Sequence, residues 1–217
     1  MIKIYIFEYY LSFSMFVKNI NMPIYSFKEF IPVVDPSSFV HPTATVIGNV
    51  IIGKKVYIGP NAVLRGDWGL IRVDNGSNIQ ENCVIHMFPG TTVHLMENSH
   101  VGHGAIIHGA RLGKNCLIGM NSVIMDDAQI GENSIVGALS LVKSNDILPP
   151  NSLAVGNPAK VVKQLSEDQI NWKTKGTEYY QQLPQDCMNA LNECKPLDSI
   201  EDNRPMQTSD YKTWKSS

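Results

Sequence analysis

The sequence repeats with a period of about six residues from Ala44 to Val142, and this repeat restricts the folds open to the chain. Hexads such as IGKKVY, IGPNAV, LGKNCL, IGMNSV and IGENSI open with a branched aliphatic residue, usually followed by glycine, and most carry a small residue four places on. A period of six matches neither an amphipathic helix, near 3.6 residues, nor strand alternation of two. The repeat therefore indicates stacked units that share one continuous core.

Each hexad predicts a short strand followed by a tight corner, with the aliphatic residue pointing inward and the small residue fitting the corner. Three hexads would close a triangular coil of roughly 18 residues, and stacked coils would pair as parallel strands. The predicted fold class is all-β, a parallel β-helix of hexapeptide repeats followed by a C-terminal α-helical segment. Cys83 and Cys116 fall on the small corner position, so we expect both thiols to be structural.

Composition favours a globular protein that acts on small molecules. Of 217 residues, 43% are hydrophobic and 18% charged, and the net charge is −2, which does not fit a disordered chain and gives no electrostatic reason for nucleic acid or an anionic membrane as partner. The four cysteines show no Cys-x-x-Cys spacing and no convincing secretory signal precedes them. We therefore expect reduced thiols and a cytoplasmic protein.

Changes in pattern predict five segments. Residues 1–21 are apolar but carry Glu8 and Lys18, and are expected to be a disordered or mis-started extension too interrupted to span a bilayer. The other expected segments are the β-helix with its site (22–145), a connecting arm (146–164), C-terminal helices (165–197) and a weakly ordered tail (198–217). Ser166 and Gln169 predict a capping box at the start of the first helix, which should stop at Pro184 before a second begins.

Three of the six histidines lie within residues 98–110. His86 and His108 both occupy the second place of a hexad and are separated by one coil plus about four residues, which the Pro89–Gly90 loop supplies. We therefore expect their rings to stack on adjacent rungs, about 4.8 Å apart. His103 has the opposite parity to His108 along the strand, so it can meet the pair only if it comes from a neighbouring chain.

A single histidine in a strand is commonly a hydrogen-bonded structural residue, and that interpretation stays open for each of the three. Three histidines with one free position form the pattern of catalytic zinc, whereas structural zinc is usually closed by four protein ligands. A site of three imidazoles also accepts iron or cobalt.

The segments LRGDWGLIRV, NIQENCVIHMFP, HVGHGAIIHGA, IGMNSVIMD, IGENSIVGA and VGNPAK together resemble the γ-class carbonic anhydrase superfamily of hexapeptide-repeat proteins. Within it the likeness is greatest to the phenylacetate-degradation (PaaY) and carnitine-operon (CaiE) families. It runs from about Met22 into the C-terminal segment QINWKTKGTEYYQ. The resemblance implies a homotrimer of left-handed β-helices with a metal at each subunit interface.

The resemblance also implies the site residues. The metal ligands would be His86 and His108 of one subunit and His103 of the next. The supporting residues would be Gln80, which hydrogen-bonds metal-bound hydroxide, the interface ion pair of Arg65 and Asp67, and the nearby polar residue Asn78. Without the resemblance, the favoured interpretation of Arg65 and Asp67 is a surface ion pair of little energetic value.

The implied function is hydrolysis of acyl-CoA thioesters, as in PaaY-like phenylacetate catabolism. Fast carbonic anhydrases of this class carry two proton-shuttling glutamates. In this chain Trp68 occupies the place of one of them, and the first acidic residue after His86 is Glu97. Trp68 and Phe88 would suit an aryl group. Three alternatives stay open: CO2 hydration of the γ type, a hexapeptide acyltransferase, and a CaiE-like helper without catalysis.

Overall fold

The computed structural model of the protein describes residues 23–214, so the expected extension 1–21 lies outside the described residues. Parallel strands stack as the three faces of a triangular coil. Face 1 consists of Ile24–Tyr25 (β1), the first halves of Thr45–Ile52 (β4) and Val63–Val73 (β6), Val84–His86 (β8), Ile106–His108 (β11), Val123–Ile124 (β14) and Leu141–Val142 (β17).

Face 2 consists of Val33–Val34 (β2), the second halves of β4 and β6, Thr92–Leu95 (β9), Arg111–Leu112 (β12), Gln129–Ile130 (β15) and Ile147–Leu148 (β18). Face 3 consists of Phe39–Val40 (β3), Tyr57–Ile58 (β5), Asn78–Ile79 (β7), His100–Val101 (β10), Leu117–Ile118 (β13), Ile135–Val136 (β16) and Ser152–Val155 (β19). Lys160–Gln164 (β20) pairs antiparallel with β19.

The strand register confirms the predicted parallel β-helix. Leu117 is the register partner of Ile135, and Ile135 that of Leu153, so regular coils advance by 18 residues. The aliphatic residue of each hexad points inward, and these side chains form one continuous core along the coil axis. A solenoid core of this kind is built from contacts between neighbouring coils.

The corners explain the rest of the hexad. Asparagine recurs one place before the small residue with a positive φ, as at Asn121 (φ 55) and Asn133 (φ 57), because it tolerates the left-handed region better than most residues. The small residue that follows is buried, as predicted. Cys83 and Cys116 are fully buried there, and burial raises the pKa of their thiols to about 11 and about 12, which fits the structural role expected of them.

The coil extends further than predicted. We placed its end at residue 145 and a connecting arm at 146–164, but β18 and β19 pair in parallel with β15 and β16 and complete a last coil. LPPNSL, from Leu148, is a hexad with proline at the place of glycine. One coil earlier, the amide of Gly131 donates to Leu148 O. Pro149 has no amide to donate, and β18 is the last strand on face 2, so this proline leaves no ladder bond unmade.

One helix, Glu167–Ala190 (α1), follows the coil. Ser166 and Gln169 form the predicted capping box. The predicted break at Pro184 is wrong, since the helix runs through this proline. Pro184 is one of the buried residues of α1, so packing of that face favours the continuous helix over the break that the residue type prefers.

The end of the described chain lies against α1, although we expected residues 198–217 to be weakly ordered. The Trp172 indole donates to Lys212 O at 2.8 Å, and its ring stacks on Tyr211 with the ring centroids 5.8 Å apart. Lys175 pairs with Asp210 at 2.6 Å. Between residues 23 and 214, no helix is long and apolar enough to cross a membrane.

Candidate functional site

Two neighbouring coils are enlarged at the corner between faces 1 and 2. Register partners are 22 residues apart at His86 and His108 but 17 apart at His94 and Arg111. Five more residues therefore lie between β8 and β9 than between β11 and β12, and the extra length falls in the loop around Pro89. This confirms that His86 and His108 stack on adjacent rungs.

The two stacked imidazoles turn one ring nitrogen towards each other. Nδ1 of His86 lies 3.3 Å from Nε2 of His108. The opposite nitrogens face carboxylates: His86 Nε2 lies 3.1 Å from Asp67 Oδ1, and His108 Nδ1 lies 2.6 Å from Asp126 Oδ1. If the carboxylate-facing nitrogens carry the protons, the two facing nitrogens are bare lone pairs.

This donor pair fits a metal ion. Ligands at 2.0–2.1 Å from a tetrahedral zinc lie about 3.3 Å apart, and the facing nitrogens of His86 and His108 have that separation. Metal-bound histidines usually donate their other N–H to a carboxylate or carbonyl oxygen, as these two do. Within the described part of a single chain, no group of three or more His, Cys, Asp or Glu side chains could hold a metal.

Arg65 links the ion pair to the histidines. Its Nη1 donates to Asp67 Oδ2 at 2.7 Å, and its Nη2 lies 3.2 Å from Nδ1 of His86. The second contact requires a lone pair on Nδ1, which supports the same tautomer. The guanidinium therefore sits beside the nitrogen that a metal would take, and would have to withdraw from it when the metal binds.

The surroundings of His86 and Asp67 favour the protonation states that metal binding needs, a neutral imidazole and an ionised carboxylate. Burial lowers the pKa of His86 against the opposing hydrogen bond with Asp67, which favours the neutral imidazole. Burial acts to raise the pKa of Asp67, but hydrogen bonds from Arg65 and His86 outweigh it and the pKa is lowered. At neutral pH the site presents a neutral ring held by an ionised carboxylate.

Two aromatic side chains flank the histidines on the enlarged corner. The Trp68 ring lies 5.1 Å from that of His86, and Phe88 meets His108 edge-on at 5.2 Å between centroids. Both are half exposed, Trp68 at 50% and Phe88 at 56%. They form an apolar border beside the donor pair.

His103 lies at the corner between face 3 and face 1 and is 47% exposed at its side chain. Its Nδ1 is hydrogen-bonded to Glu81 Oε2 at 2.5 Å, so it repeats the pairing of His86 and His108 with carboxylates. Glu81 is ionised, because hydrogen bonds outweigh the effect of burial and lower its pKa. Among the described residues, no hydrogen bond joins His103 to His86 or His108 of the same chain.

Asn78 and Gln80 belong to face 3, on the side of His103. Gln80 Nε2 donates to Asn78 Oδ1 at 3.0 Å and lies 2.5 Å from Nε2 of His100. Tyr180 of α1 covers His100, with the ring centroids 4.9 Å apart. Burial lowers the pKa of His100 to about 3, so this histidine is neutral and enclosed.

The structure thus divides the predicted site residues between two surfaces. Arg65, Asp67, His86 and His108 come together on face 1, and Asn78, Gln80 and His103 lie on face 3. Sequence reasoning missed Glu81 and Asp126 as partners of His103 and His108. The coil period could have found them: Asp126 is 18 residues after His108, and Glu81 precedes His103 by the same 22 residues that separate His86 from His108.

The fold and the repeat define the class of this protein, a hexapeptide-repeat β-helix. The family model for the bacterial transferase hexapeptide (six repeats) matches residues 32–66 and 109–144. The carnitine operon protein CaiE of Salmonella newport (strain SL254) is 49% identical over 184 residues, covering 85% of this chain and 93% of CaiE. The chain therefore belongs to the hexapeptide-repeat family that includes CaiE.

Two solved structures share the fold at appreciable identity. A putative acetyltransferase from Bacillus cereus is 35% identical with a TM-score of 0.75, covering 78% of this chain and 98% of its own. A hexapeptide transferase family protein from Anaplasma phagocytophilum is 34% identical with a TM-score of 0.73, covering 76% of this chain and 98% of its own.

Proposed function

We propose that the protein is a metal-dependent hydrolase of acyl-CoA thioesters, with the metal held between His86 and His108 of one chain and His103 of a neighbouring chain in a homotrimer. One observation carries this proposal. Each of the three histidines is hydrogen-bonded through one ring nitrogen to a carboxylate of an adjacent coil, which leaves its other nitrogen available as a ligand.

The donor set suits zinc, and also iron or cobalt. When bound, such an ion would polarise the thioester carbonyl and make hydroxide available from water near neutral pH. Hydrolysis consumes one water: the carbonyl carbon gains a C–O bond and loses its C–S bond, and coenzyme A leaves as the thiol with one proton.

The chain's own residues prepare this chemistry. Asp67 and Asp126 fix the tautomers and directions of His86 and His108. Trp68 limits the access of water to the donor pair and provides an apolar surface beside it. Gln80 lies on the His103 side of the proposed interface, with its amide N–H groups directed to Asn78 and His100; to stabilise a developing oxyanion it would have to exchange one of these partners for it.

Two other reactions use the same scaffold. Hydration of CO2 needs the same donor set, but Trp68 and the lack of an acid before Glu97 disfavour fast proton transfer. Acyl transfer from coenzyme A is favoured by a relative, since the Bacillus cereus structure is described as a putative acetyltransferase. A carboxylate-held histidine can also act as the general base of an acyl transfer, so the feature that favours hydrolysis is the pair of facing ring nitrogens of His86 and His108, which suits a metal.

The test compares His103→Ala with His94→Ala. His94 is a matched control because it is also held by a carboxylate, Asp74 at 2.7 Å, but lies on face 2. Metal content, oligomeric mass and thiol release from aryl and aliphatic acyl-CoAs are measured for both variants and for the unaltered protein, with CO2 hydration in parallel. The aryl thioesters test the phenylacetate pathway that the resemblance implies.

We expect a trimer with one metal per chain and thiol release that His103→Ala abolishes and His94→Ala retains. Thiol release that depends on an added amine would support the acyltransferase instead, and hydration without thiol release would support a carbonic anhydrase. A metal-loaded protein inactive in all these assays would contradict an enzymatic role and favour the helper function.

A further inference from the structure

A cavity of about 400 Å³ lies between face 3 and α1. We call it the glycine groove, because Gly102, Gly119 and Gly137 of three successive coils form its floor. The lining is otherwise mostly apolar, and the side chains that bound it come from the coil corners, from α1 and from the C-terminal segment: Leu117, Met120, Ala138, Trp172, Tyr180 and Tyr211.

The floor of the groove follows from the hexad. All three glycines occupy the second place of their hexads, and a Cβ at Gly119 would lie 2.4 Å from the amide nitrogen of Ala138. At these places the next coil lies too close for a side chain, and a column without side chains results. The same column holds Gln80 one coil before Gly102 and Val155 one coil after Gly137, so side chains bound the groove at both ends.

The opposite wall depends on a second close approach. Gly176 is a glycine inside α1, where it costs about 1 kcal/mol relative to alanine. A Cβ there would lie 2.5 Å from Oη of Tyr211, so glycine at this place allows the Tyr211 ring to reach the helix. The 2.6 Å ion pair of Lys175 with Asp210 holds the same segment in place.

One end of the groove reaches the proposed site. Gln80, His100 and His103 line it there. Along the coil corner, His103 is followed at successive rungs by Met120 and Ala138, so the groove continues for two coils, or roughly 10 Å, beyond the proposed metal ligand. Its polar groups lie at the His103 end and its apolar walls extend away from it.

We propose that the glycine groove binds the acyl group of the thioester and that it selects a flat apolar group such as an aryl ring. This inference rests on the proposed hydrolase function. A thioester whose carbonyl lies at His103 would direct its acyl group along the glycine floor, between the rings of Trp172, Tyr180 and Tyr211, which favour stacking with another ring. The volume falls within the roughly 300–1,000 Å³ typical of small-molecule sites.

The test fills the groove at its far end with Ala138→Trp. Ala138 is exposed and two coils from His103, so the substitution leaves the proposed ligands in place. Ile147→Trp is the matched control, because Ile147 is 70% exposed on face 2, away from the groove. For both variants and the unaltered protein, kcat/KM is measured with an arylacetyl-CoA and with acetyl-CoA, beside metal content and oligomeric mass.

Ala138→Trp should lower kcat/KM for the arylacetyl thioester by about 10-fold or more and change that for acetyl-CoA by less than about 2-fold. Ile147→Trp should affect neither. Equal losses on both thioesters would overturn the inference, as would a lost trimer, which would indicate that a neighbour's side chain fills the groove. No change with either thioester would also overturn it.

A separate binding measurement distinguishes failure of the groove from failure of the hydrolase. A thioether analogue of the arylacetyl-CoA, which cannot be hydrolysed, is titrated into the same three proteins. If no thioester is cleaved by any of them, the proposed function fails. Binding of the analogue that Ala138→Trp weakens at least about 10-fold would still support the groove, and equal binding by all three would overturn it.

Discussion

The coils from β6 to β9 and the coils from β12 to β18 have the same interior but different surfaces. In both, buried aliphatic residues fill the axis of the coil. On face 1, however, one outward column carries Arg65 and His86 on the enlarged coils, His108 on the next coil, and Met125 and Lys143 on the regular coils after it. The comparison teaches that the repeat stabilises the fold, while departures from it place the chemistry.

This separation has a physical basis in the solenoid. Each coil contacts only its neighbours, so an insertion at one corner need not disturb the core. The five extra residues before β9 enlarge a corner, and Val93 and Leu95 beyond them are fully buried again. Substitutions in the two regions should therefore have separable effects on activity and on stability.

The largest effect is expected for His108→Ala. This change removes one of the two facing donors, so bound metal and thiol release should fall by about 1,000-fold or more, with little change in the midpoint of thermal unfolding when the metal-free proteins are compared. Metal analysis and kinetics of thiol release measure it. Met125→Ala alters the same column one rung later and should keep its metal; loss of metal there would contradict the separation.

Leu112→Ala should have the opposite signature. Leu112 is fully buried in the core of the same coil that carries His108 on its surface, and removing its side chain should lower the free energy of unfolding by about 2–5 kcal/mol. Denaturant unfolding measures this loss. Well below the unfolding temperature, kcat for thiol release should stay within about 2-fold of that of the unaltered protein; a loss comparable to that of His108→Ala would show that the core and the site are not separable.

How much could be predicted from the sequence follows the same division. The period of six was sufficient for the coil, for the corner role of Cys83 and for the stacking of His86 on His108, because these depend on local repetition. LPPNSL was missed as a hexad because proline replaced its glycine. The helix through Pro184 was missed because burial in tertiary structure overrides a local preference.

The candidate site could be predicted from the sequence only in part, for a different reason. Candidate ligands can be recognised by residue type, but their hydrogen-bond partners cannot. Glu81 and Asp126 can be assigned only once the coil brings residues about one turn apart into contact. The glycine groove could not be predicted at all, because Tyr211, which lines it, lies far along the chain from its glycines. Contacts between the coil, α1 and the C-terminal segment leave no periodic signal.

Asp126→Asn should reduce metal affinity by about 10- to 100-fold, because the carboxylate orients His108 and strengthens it as a ligand. Titration of the metal-free protein with zinc measures the change. Asp127→Asn is the matched control, since Asp127 has a φ of 58 that asparagine also tolerates. Equal losses in both variants would mean that general charge, and not the hydrogen bond to His108, sets the affinity.

His100→Leu should change how stability depends on pH. Burial lowers the pKa of His100 from 6.5 to about 3, so between these values the unfolded chain binds more protons and stability falls as pH falls. From pH 6.5 to about pH 5 the unaltered protein should lose about 2 kcal/mol more than the variant. Leucine should be accommodated at position 100, because Leu117 is the register partner of His100 in the next coil.

Denaturant unfolding at about pH 8 gives the reference for His100→Leu, since histidine is neutral there in both states and the two proteins differ only in packing and in the hydrogen bond with Gln80. The comparison that decides is the difference between the two proteins at each lower pH. Parallel losses on acidification would show that His100 is not the group that titrates.

The smallest effect concerns the asparagine ladder of the regular coils. Asn133 accepts a hydrogen bond from Asn115 at 2.9 Å and donates one to Asn151 at 3.0 Å, and its φ is 57. Asn133→Gly removes the ladder bonds at a permitted φ and should cost about 1 kcal/mol. Asn133→Ala adds the strain of a positive φ and should cost about 0.5 kcal/mol more. Denaturant unfolding at neutral pH measures both, and a less stable glycine variant would show that freedom of the unfolded chain outweighs strain at the corner.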